Sequence, residues 1–318
     1  MENLESGSNK IRRWLSAVFL VAAVIAAIYG SMQLSAIDIE TEKEPEKDPN
    51  YSMPSEEKDR LDILVMGMRG ESDLEAKEAG AYLTDTIMVF SYDRITGKAS
   101  VVSVPRDFYV KIYNKKEKIN AAFEYGLNHG DGIQYVKELF SQITGIYIDH
   151  AVVIDFSSFE KIIDQIDGVD IVLEKPFAEK TQWGYEFNLP AGPNHLNSKD
   201  ALYYARSRFS TNDFDRARRQ QQIMFAIKDK LAQIDLFSDP LRALDIFNTI
   251  RNNIYTDIGF WDIRTLMNLA GKVSNDTEHY VISTENLLYE SSVNGIYVLL
   301  PKEDNFNGIK QIFQDILD

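Results

Sequence analysis

Hydrophobic and polar positions divide the chain into three stretches of different rhythm. The first has no period at all: from Trp14 to Ile37 no residue is charged, and WLSAVFLVAAVIAAIYG is almost wholly apolar. A helix of this length would run about 36 Å, enough to cross a hydrocarbon core of about 30 Å. A transmembrane helix is therefore expected over 14–36, behind a cytoplasmic tail at 1–13. Lys10, Arg12 and Arg13 precede it, whereas Asp38, Glu40, Glu42, Glu44, Glu46 and Asp48 follow. The positive flank stays inside, which puts the bulk of the chain outside. Leu-Ser-Ala at 34–36 imitates a cleavage site, but the apolar run exceeds the usual signal-peptide length, which favours a retained anchor. The second stretch, 37–60, is acidic, carries prolines and lacks apolar periodicity, the composition of a linker that buries no core.

From Leu61 the rhythm alternates between strand and helix. LDILVMG reads as a buried strand, and TIMVFSYD and SVVSVP as two strands around a turn at Thr96 and Gly97. Ile133, Val136, Leu139, Phe140 and Ile143 recur at helical spacing. HAVVIDF reads as a strand, FSSFEKIIDQI as a helix capped by Ser157 or Ser158, and GVDIVLE as another strand. Helices are expected over 200–206 and 215–234. Beyond Leu236, helix signals (ALDIFNTIRNNI, WDIRTLMNLAGKV) mix with strand signals (HYVIST, IYVLLP) without a linker-like break, so 61–318 is taken as one domain. The expected fold class is α/β, a central mixed β-sheet flanked by helices.

Composition narrows the partners. The formal charge is -15 and the pI near 4.8, which argues against nucleic acid, whose binding needs a broad basic face. The absence of cysteine fits an exported domain but is weak support. Against this acidic background, five of fourteen arginines fall within fourteen residues: Arg206, Arg208, Arg216, Arg218 and Arg219. Guanidinium is a planar fork of donors suited to phosphate and carboxylate oxygens. The plainer alternative is a solvated helix whose arginines pair with Asp213 and Asp215. Asp85, Arg106, Asp107 and Lys118 each adjoin an apolar run, so their charges can converge on one rim of a sheet, where open α/β folds bind ligands. Lys118, just before a predicted helix, can add its charge to that helix's amino terminus. His150 and His195 have no second histidine at zinc-ligand spacing, and neither a P-loop nor a Gly-x-Ser-x-Gly pattern is present.

In order along the chain stand LTDTIMVF, SVPRDF, KINAAF, NHLNSKDALYYARSR and DFDRARRQQ. With these motifs the sequence resembles the LytR-CpsA-Psr family of bacterial envelope phosphotransferases from about Leu61 to Ile234. Ser198 departs from the family's more usual glycine. The resemblance implies a single-pass protein of the bacterial cytoplasmic membrane that moves a phosphoglycan from a polyprenyl-pyrophosphate carrier to a cell-wall acceptor such as a peptidoglycan hydroxyl. An apolar tunnel beside the sheet would take the prenyl chain. It further implies that Arg106, Lys118, Arg206, Arg208, Arg216 and Gln220 contact the pyrophosphate or fix the groups that do, and that Asp85 ligates Mg²⁺. Asp107 would orient Arg106 or activate the acceptor hydroxyl, with the orienting role favoured.

Arg69 breaks the pattern, since many members carry there an aspartate that is a second metal ligand. Mg²⁺ remains expected, because one carboxylate plus phosphate oxygens can hold it. Alternatively Asp73 or Glu71 substitutes, or Arg69 joins the pyrophosphate contacts and replaces part of the metal's charge. The loop 69–83 is expected to cover the site. A non-catalytic polyprenyl-phosphate binding protein and a lipid pyrophosphatase are the competing functions.

Overall fold

The computed structural model describes residues 53–73, 76, 80–233, 248, 254–259 and 277–317. The transmembrane helix expected over 14–36 and the helix expected over WDIRTLMNLAGKV lie outside these residues, as does ALDIFNTIRNNI except Asn248 and Ile254, and among the described residues no helix is long and apolar enough to cross a membrane.

The centre is a six-stranded mixed sheet. Its first strand, β1 (Arg60–Met68), lies antiparallel to β2 (Thr84–Asp93), which continues antiparallel into β3 (Ala99–Ser103). The turn between β2 and β3 falls at the expected Thr96 and Gly97: Asp93 accepts from the backbone N–H of Ile95 and Thr96 at 2.7 and 2.8 Å, and Gly97 supplies φ +75°. A hairpin of β4 (Tyr109–Ile112) and β5 (Lys115–Lys118) follows, then α1 (Ala122–Asn128) and α2 (Gly132–Thr144), which carry the chain across to β6 (His150–Asp155), parallel to β1.

Beyond β6, α3 (Phe156–Gln165) leads to a smaller layer of β7 (Val169–Leu173), the hairpin β8 (Phe177–Glu179) and β9 (Phe187–Leu189), and β10 (Gly192–Leu196). Helices α4 (Ser198–Arg206) and α5 (Asp213–Gln233) come next. The strands β11 (Ile254–Thr256) and β12 (Glu278–Val281) close the two edges of the sheet, and β13 (Leu288–Val293), β14 (Ile296–Pro301) and α6 (Asn307–Asp315) end the described chain.

The strand alternation decides which side each residue serves. Leu64, Met66 and Met68 of β1 join Val89, Val153, Phe123, Phe140 and Phe313 in the main core, where burial of each large side chain contributes about 1.5–3 kcal/mol. The opposite face carries Ile63, Val65, Val152 and Ile154, which are half-buried. A second core gathers Ile163, Val169, Leu196, Tyr204 and Ile223 around α3, α4 and α5. Helix ends follow local chemistry: Asp131 caps α2 through the N–H of Gln134 at 2.9 Å, and Gly145 ends it in the left-handed region at φ +74°. The cap of α3 is Asp155, which accepts from the N–H of Ser158 at 2.7 Å, rather than Ser157 or Ser158; the last residue of the strand already faces the helix start. Likewise α4 and α5 begin two residues earlier than expected, α4 because Asn197 caps it.

Candidate functional site

The carboxyl ends of β1, β3 and β6 open on the same rim, and the motif residues meet there. Arg106, three residues after β3, is at the centre. Its Nη1 donates to Asp85 Oδ1 at 2.8 Å, its Nε lies 3.5 Å from Asp107, and its Nη2 lies 3.6 Å from Asp213 at the start of α5. Burial alone would push this guanidinium down, but the charge and hydrogen bond of Asp85, with Asp213 and Asp107, outweigh it and hold Arg106 firmly protonated. Around this core, Lys118 Nζ stands 2.5 Å from Asp107 Oδ1, the oxygen not facing Arg106, and Arg216 Nη1 is 3.4 Å from Asp213 Oδ1. Lys118 therefore acts from the end of β5 on Asp107, and it caps no helix through its side chain. Asp107, paired with both Arg106 and Lys118, has the geometry of an orienting residue.

Arg216 is buried, and desolvation pushes its pKa down, opposed by Asp213 but reinforced by the positive charge of Arg106 and Arg208. Guanidinium groups that lower one another's pKa gain most from an added anion. Arg206, at the end of α4, lies over the Phe156 ring at 4.1 Å and near the Trp183 ring at 5.1 Å. Trp183 in turn stacks on Tyr203 at 4.8 Å and donates its indole N–H to Ser207 Oγ at 3.2 Å. This aromatic support for Arg206 had no local signal in the sequence, since it joins three separate segments. Arg208 receives its backbone position from Gln182, whose Oε1 accepts from its N–H at 2.7 Å.

The remaining members of the arginine run have other tasks. Arg218 pairs with Asp215 at 2.7 Å on the exposed face of α5, the plain solvated pairing. Arg219 is buried and donates to the backbone carbonyls of Tyr204 and Ser207 and, at 3.1 Å, to Thr211 Oγ1, tying down the link between α4 and α5. Gln220 donates to the Ala205 carbonyl at 3.3 Å, so it fixes the segment that presents Arg206. Gln221 is buried and binds Ser103 Oγ at 2.8 Å and the Tyr280 carbonyl at 3.0 Å, joining α5 to β3 and β12.

On the near side of the rim, Arg69 follows β1 directly. Its carbonyl receives the N–H of Phe156 at 3.5 Å, and the Gly70 N–H donates to Ala81 at 2.9 Å, so the expected cover loop is anchored at both ends. A Cβ on Gly70, whose φ is +82°, would lie 2.5 Å from the Asp155 Cβ. Arg69 Nη1 and Arg206 Nη2 each lie 3.9 Å from the same oxygen of Asp73.

A divalent cation would need free carboxylate oxygens here. Asp85 already accepts from Arg106, Asp73 stands between Arg69 and Arg206, and Glu71 accepts from the Tyr82 hydroxyl at 2.5 Å. Among the described residues, no group of three or more His, Asp or Glu residues is placed so as to hold a metal ion. One oxygen of Asp85, Oδ1, is taken by Arg106 and one of Glu71, Oε1, by the Tyr82 hydroxyl.

The fold and rim define an α/β protein that gathers guanidinium groups and their carboxylate partners at the carboxyl end of a mixed sheet. The model of the LytR_cpsA_psr family matches residues 25–315, and the chain belongs to that family. It is similar to the regulatory protein MsrR of Staphylococcus aureus (strain COL), 29% identical over 272 residues, covering 84% of this chain and 77% of that protein. It is also similar to the polyisoprenyl-teichoic acid–peptidoglycan teichoic acid transferase TagU of Bacillus subtilis (strain 168), 26% identical over 304 residues, 93% of this chain and 87% of TagU. Among solved structures, B. subtilis TagV matches with a TM-score of 0.64 and 25% identity over 83% of this chain and 99% of that one. A structure of TagT bound to LIIa-WTA matches in fold with a TM-score of 0.61, 21% identity and coverage of 82% and 91%.

Proposed function

We propose that this protein transfers a phosphoglycan from a polyprenyl-pyrophosphate carrier to a hydroxyl of the cell wall, peptidoglycan being the favoured acceptor. The observation that carries the reading is the gathering of basic groups on one sheet rim: Arg106, Lys118, Arg206, Arg208 and Arg216, held by Asp85, Asp107, Asp213 and Asp73. A pyrophosphate is the anion that such a crowd of forks suits, and phosphoryl transfer asks chiefly for positioned positive charge. Membership in the family, and the resemblance to a named teichoic acid transferase, agree with it.

In this reading the acceptor oxygen attacks the glycan-bearing phosphorus, the bond to the bridging oxygen breaks, and polyprenyl phosphate leaves. The hydroxyl proton passes to a carboxylate beside Arg106. Arg106 and Arg216 neutralise the charge on the leaving oxygens, while Asp85, Asp107 and Asp213 hold Arg106 in place. The half-buried apolar face of Ile63, Val65, Val152 and Ile154 leads to this rim and would seat the prenyl chain. The expected anchor at 14–36 would keep the site beside the membrane that holds the carrier.

The test follows glycan phosphate from a short polyprenyl-pyrophosphate glycan to peptidoglycan oligomers. Transfer by the protein, lost in Arg206→Ala, supports the reading. Tight lipid binding without product, where a transferase control works, would leave a binding protein; release of phosphate to water with no acceptor product would leave a pyrophosphatase.

A further inference from the structure

The hairpin of β13 and β14 carries no basic residue, yet it is attached to the basic rim. Asn294 and Gly295, at φ +53° and +80°, make the two-residue turn that lets its strands pair directly. The register sets Leu288 opposite Pro301, Glu290 opposite Leu299 and Ser292 opposite Tyr297, so these six side chains share one face. At its inner end that face is core, with Leu288 and Leu299 buried. Towards the turn it is open: Glu290 and Ser292 are exposed and Tyr297 is 46% exposed. Burial of the inner half therefore fixes where the open half stands.

The open half lies beside the acids that hold Arg106. Leu299 donates its N–H to the Asp107 carbonyl at 2.9 Å and runs alongside Phe108. Tyr297 is two residues further out, about 6.6 Å along the strand. Burial, the neighbouring Glu290 and the charges of Asp107 and Asp213 push its hydroxyl up to about 12, so it keeps its proton. That hydroxyl donates to Glu290 Oε1 at 3.2 Å, longer than a usual O–H···O bond. Both partners keep acceptor capacity, the phenol through its lone pairs and the carboxylate through its remaining sites. Glu290, Asp107 and Asp213 make the surroundings of Tyr297 negative, which disfavours a phosphate here. A neutral sugar fits instead. Its hydroxyls donate to the carboxylate and accept from the phenol, and its C–H face packs on an exposed aromatic ring, whose face is electron-rich.

Resting on the transferase reading of the rim, we propose that Tyr297 and Glu290 form the subsite for the acceptor glycan. The Tyr297 ring carries one sugar of the acceptor, and Glu290 accepts from one of its hydroxyls. The hairpin thereby orients the acceptor and selects which hydroxyl reaches the phosphorus beside Arg106. Donor and acceptor are sorted by charge: guanidinium groups take the pyrophosphate, and an acidic aromatic patch takes the neutral polyol.

Glycan-phosphate transfer by the full chain, with donor and acceptor varied separately, is measured beside calorimetry of two probes, farnesyl pyrophosphate and a soluble peptidoglycan tetrasaccharide. Tyr297→Ala is expected to raise KM for peptidoglycan oligomers about 10-fold and to weaken tetrasaccharide binding equally, the loss of one stacked ring. Its donor KM and its affinity for farnesyl pyrophosphate are expected to stay within about twofold of wild type. Glu290→Gln keeps an acceptor for Tyr297 but loses the charge, and is expected to raise the acceptor KM about 3-fold. Tyr289 is 39% exposed on the opposite face of the same hairpin, and Tyr289→Ala is expected to match the wild type throughout. An unchanged acceptor KM in Tyr297→Ala, an equal loss of donor binding, or a like loss in Tyr289→Ala would overturn the subsite. The two readings fail separately. Transfer by the wild type that Tyr297→Ala leaves intact removes the subsite and upholds the transferase, whereas tetrasaccharide binding through Tyr297 with no transfer upholds the sugar site and removes the transferase.

Discussion

Arg106→Ala separates what the site costs the fold from what it gives the reaction. The contact with Asp85 at 2.8 Å is a charge-assisted hydrogen bond, worth about 1.5–3 kcal/mol. The contacts with Asp107 and Asp213, at 3.5 and 3.6 Å, are looser, and each acid keeps another cation, Lys118 or Arg216, so losing them costs about 0–1 kcal/mol each. Asp85 is 25% exposed, and water recovers part of its loss. The expected destabilisation is about 2–3 kcal/mol, too little to unfold a domain of ordinary stability. Turnover is expected to fall by about 10²–10³, the usual effect of removing one preorganised donor from developing charge. Arg106→Lys keeps the charge but cannot span Asp85, Asp107 and Asp213 with one fork, so it should restore stability more than rate. Urea unfolding and glycan-phosphate transfer measured on the same preparations give both quantities. A rate within about threefold of wild type, in a variant destabilised by the stated amount, would refute the placement of Arg106 at the reacting phosphate.

Other consequences concern the scaffold. Gly70→Ala should destabilise by about 2–3 kcal/mol, since φ +82° is strained for alanine and the new Cβ displaces Asp155 from its cap on α3; thermal unfolding checks it. Gln221→Leu should cost about 2–4 kcal/mol, because Ser103 and the Tyr280 carbonyl lose a buried donor, and a shift below about 0.5 kcal/mol in urea would show that they find other partners. Asp62 is buried against Arg60 and Ser91, and desolvation raises its pKa from 3.8 to about 6. A folded state that holds its proton more tightly than the unfolded chain is favoured at low pH, so this group's contribution is full below pH 4 and is lost as pH rises towards 6, about 3 kcal/mol in all. Stability curves over that window should flatten in Asp62→Asn; an unaltered slope would mean that Arg60 keeps the carboxylate ionised throughout.

The central strands were legible because burial on the sheet leaves an uninterrupted apolar run, as in LDILVMG and HAVVIDF, and the β2–β3 turn because Asp93 and Gly97 supply its chemistry locally. The hairpins β4–β5 and β8–β9 were not. Their strands are four and three residues long, and β5 reads KKEK, a sequence that only its neighbours make into a strand. The site was half legible for a related reason. Sequence could say that the arginines of DRARR gather, but Arg216 and Arg219 lie three apart on one helix face, and nothing local tells them apart. The path of the chain between α4 and α5 does: it brings the carbonyls of Tyr204 and Ser207 to Arg219 and leaves Arg216 to Asp213 and the rim. Phe156 and Trp183 were silent because their role depends on where Arg206 falls after three segments have met.

A chain of formal charge -15 that gathers its cations in one place poses an electrostatic question, because the body should repel the substrate it is proposed to bind. Screening answers it. At physiological ionic strength the field of an exposed charge fades over about 8 Å, so most of the surface acids do not reach the rim. Within that radius the balance is set by Arg69, Arg106, Lys118, Arg206 and Arg216 against Asp73, Asp85, Asp107 and Asp213, and the pairs leave an excess of positive charge. The acids are not a penalty without return. They offset two costs at once: burial lowers the pKa of Arg216, the nearby charges of Arg106 and Arg208 lower it further, and Asp213 and Asp85 oppose both. Lowering the salt should therefore weaken the capture of farnesyl pyrophosphate, by extending the reach of the acidic surface, whereas a site that depended on long-range attraction would show the opposite slope. Measured against salt, the sign of that slope reports whether affinity arises from the rim alone.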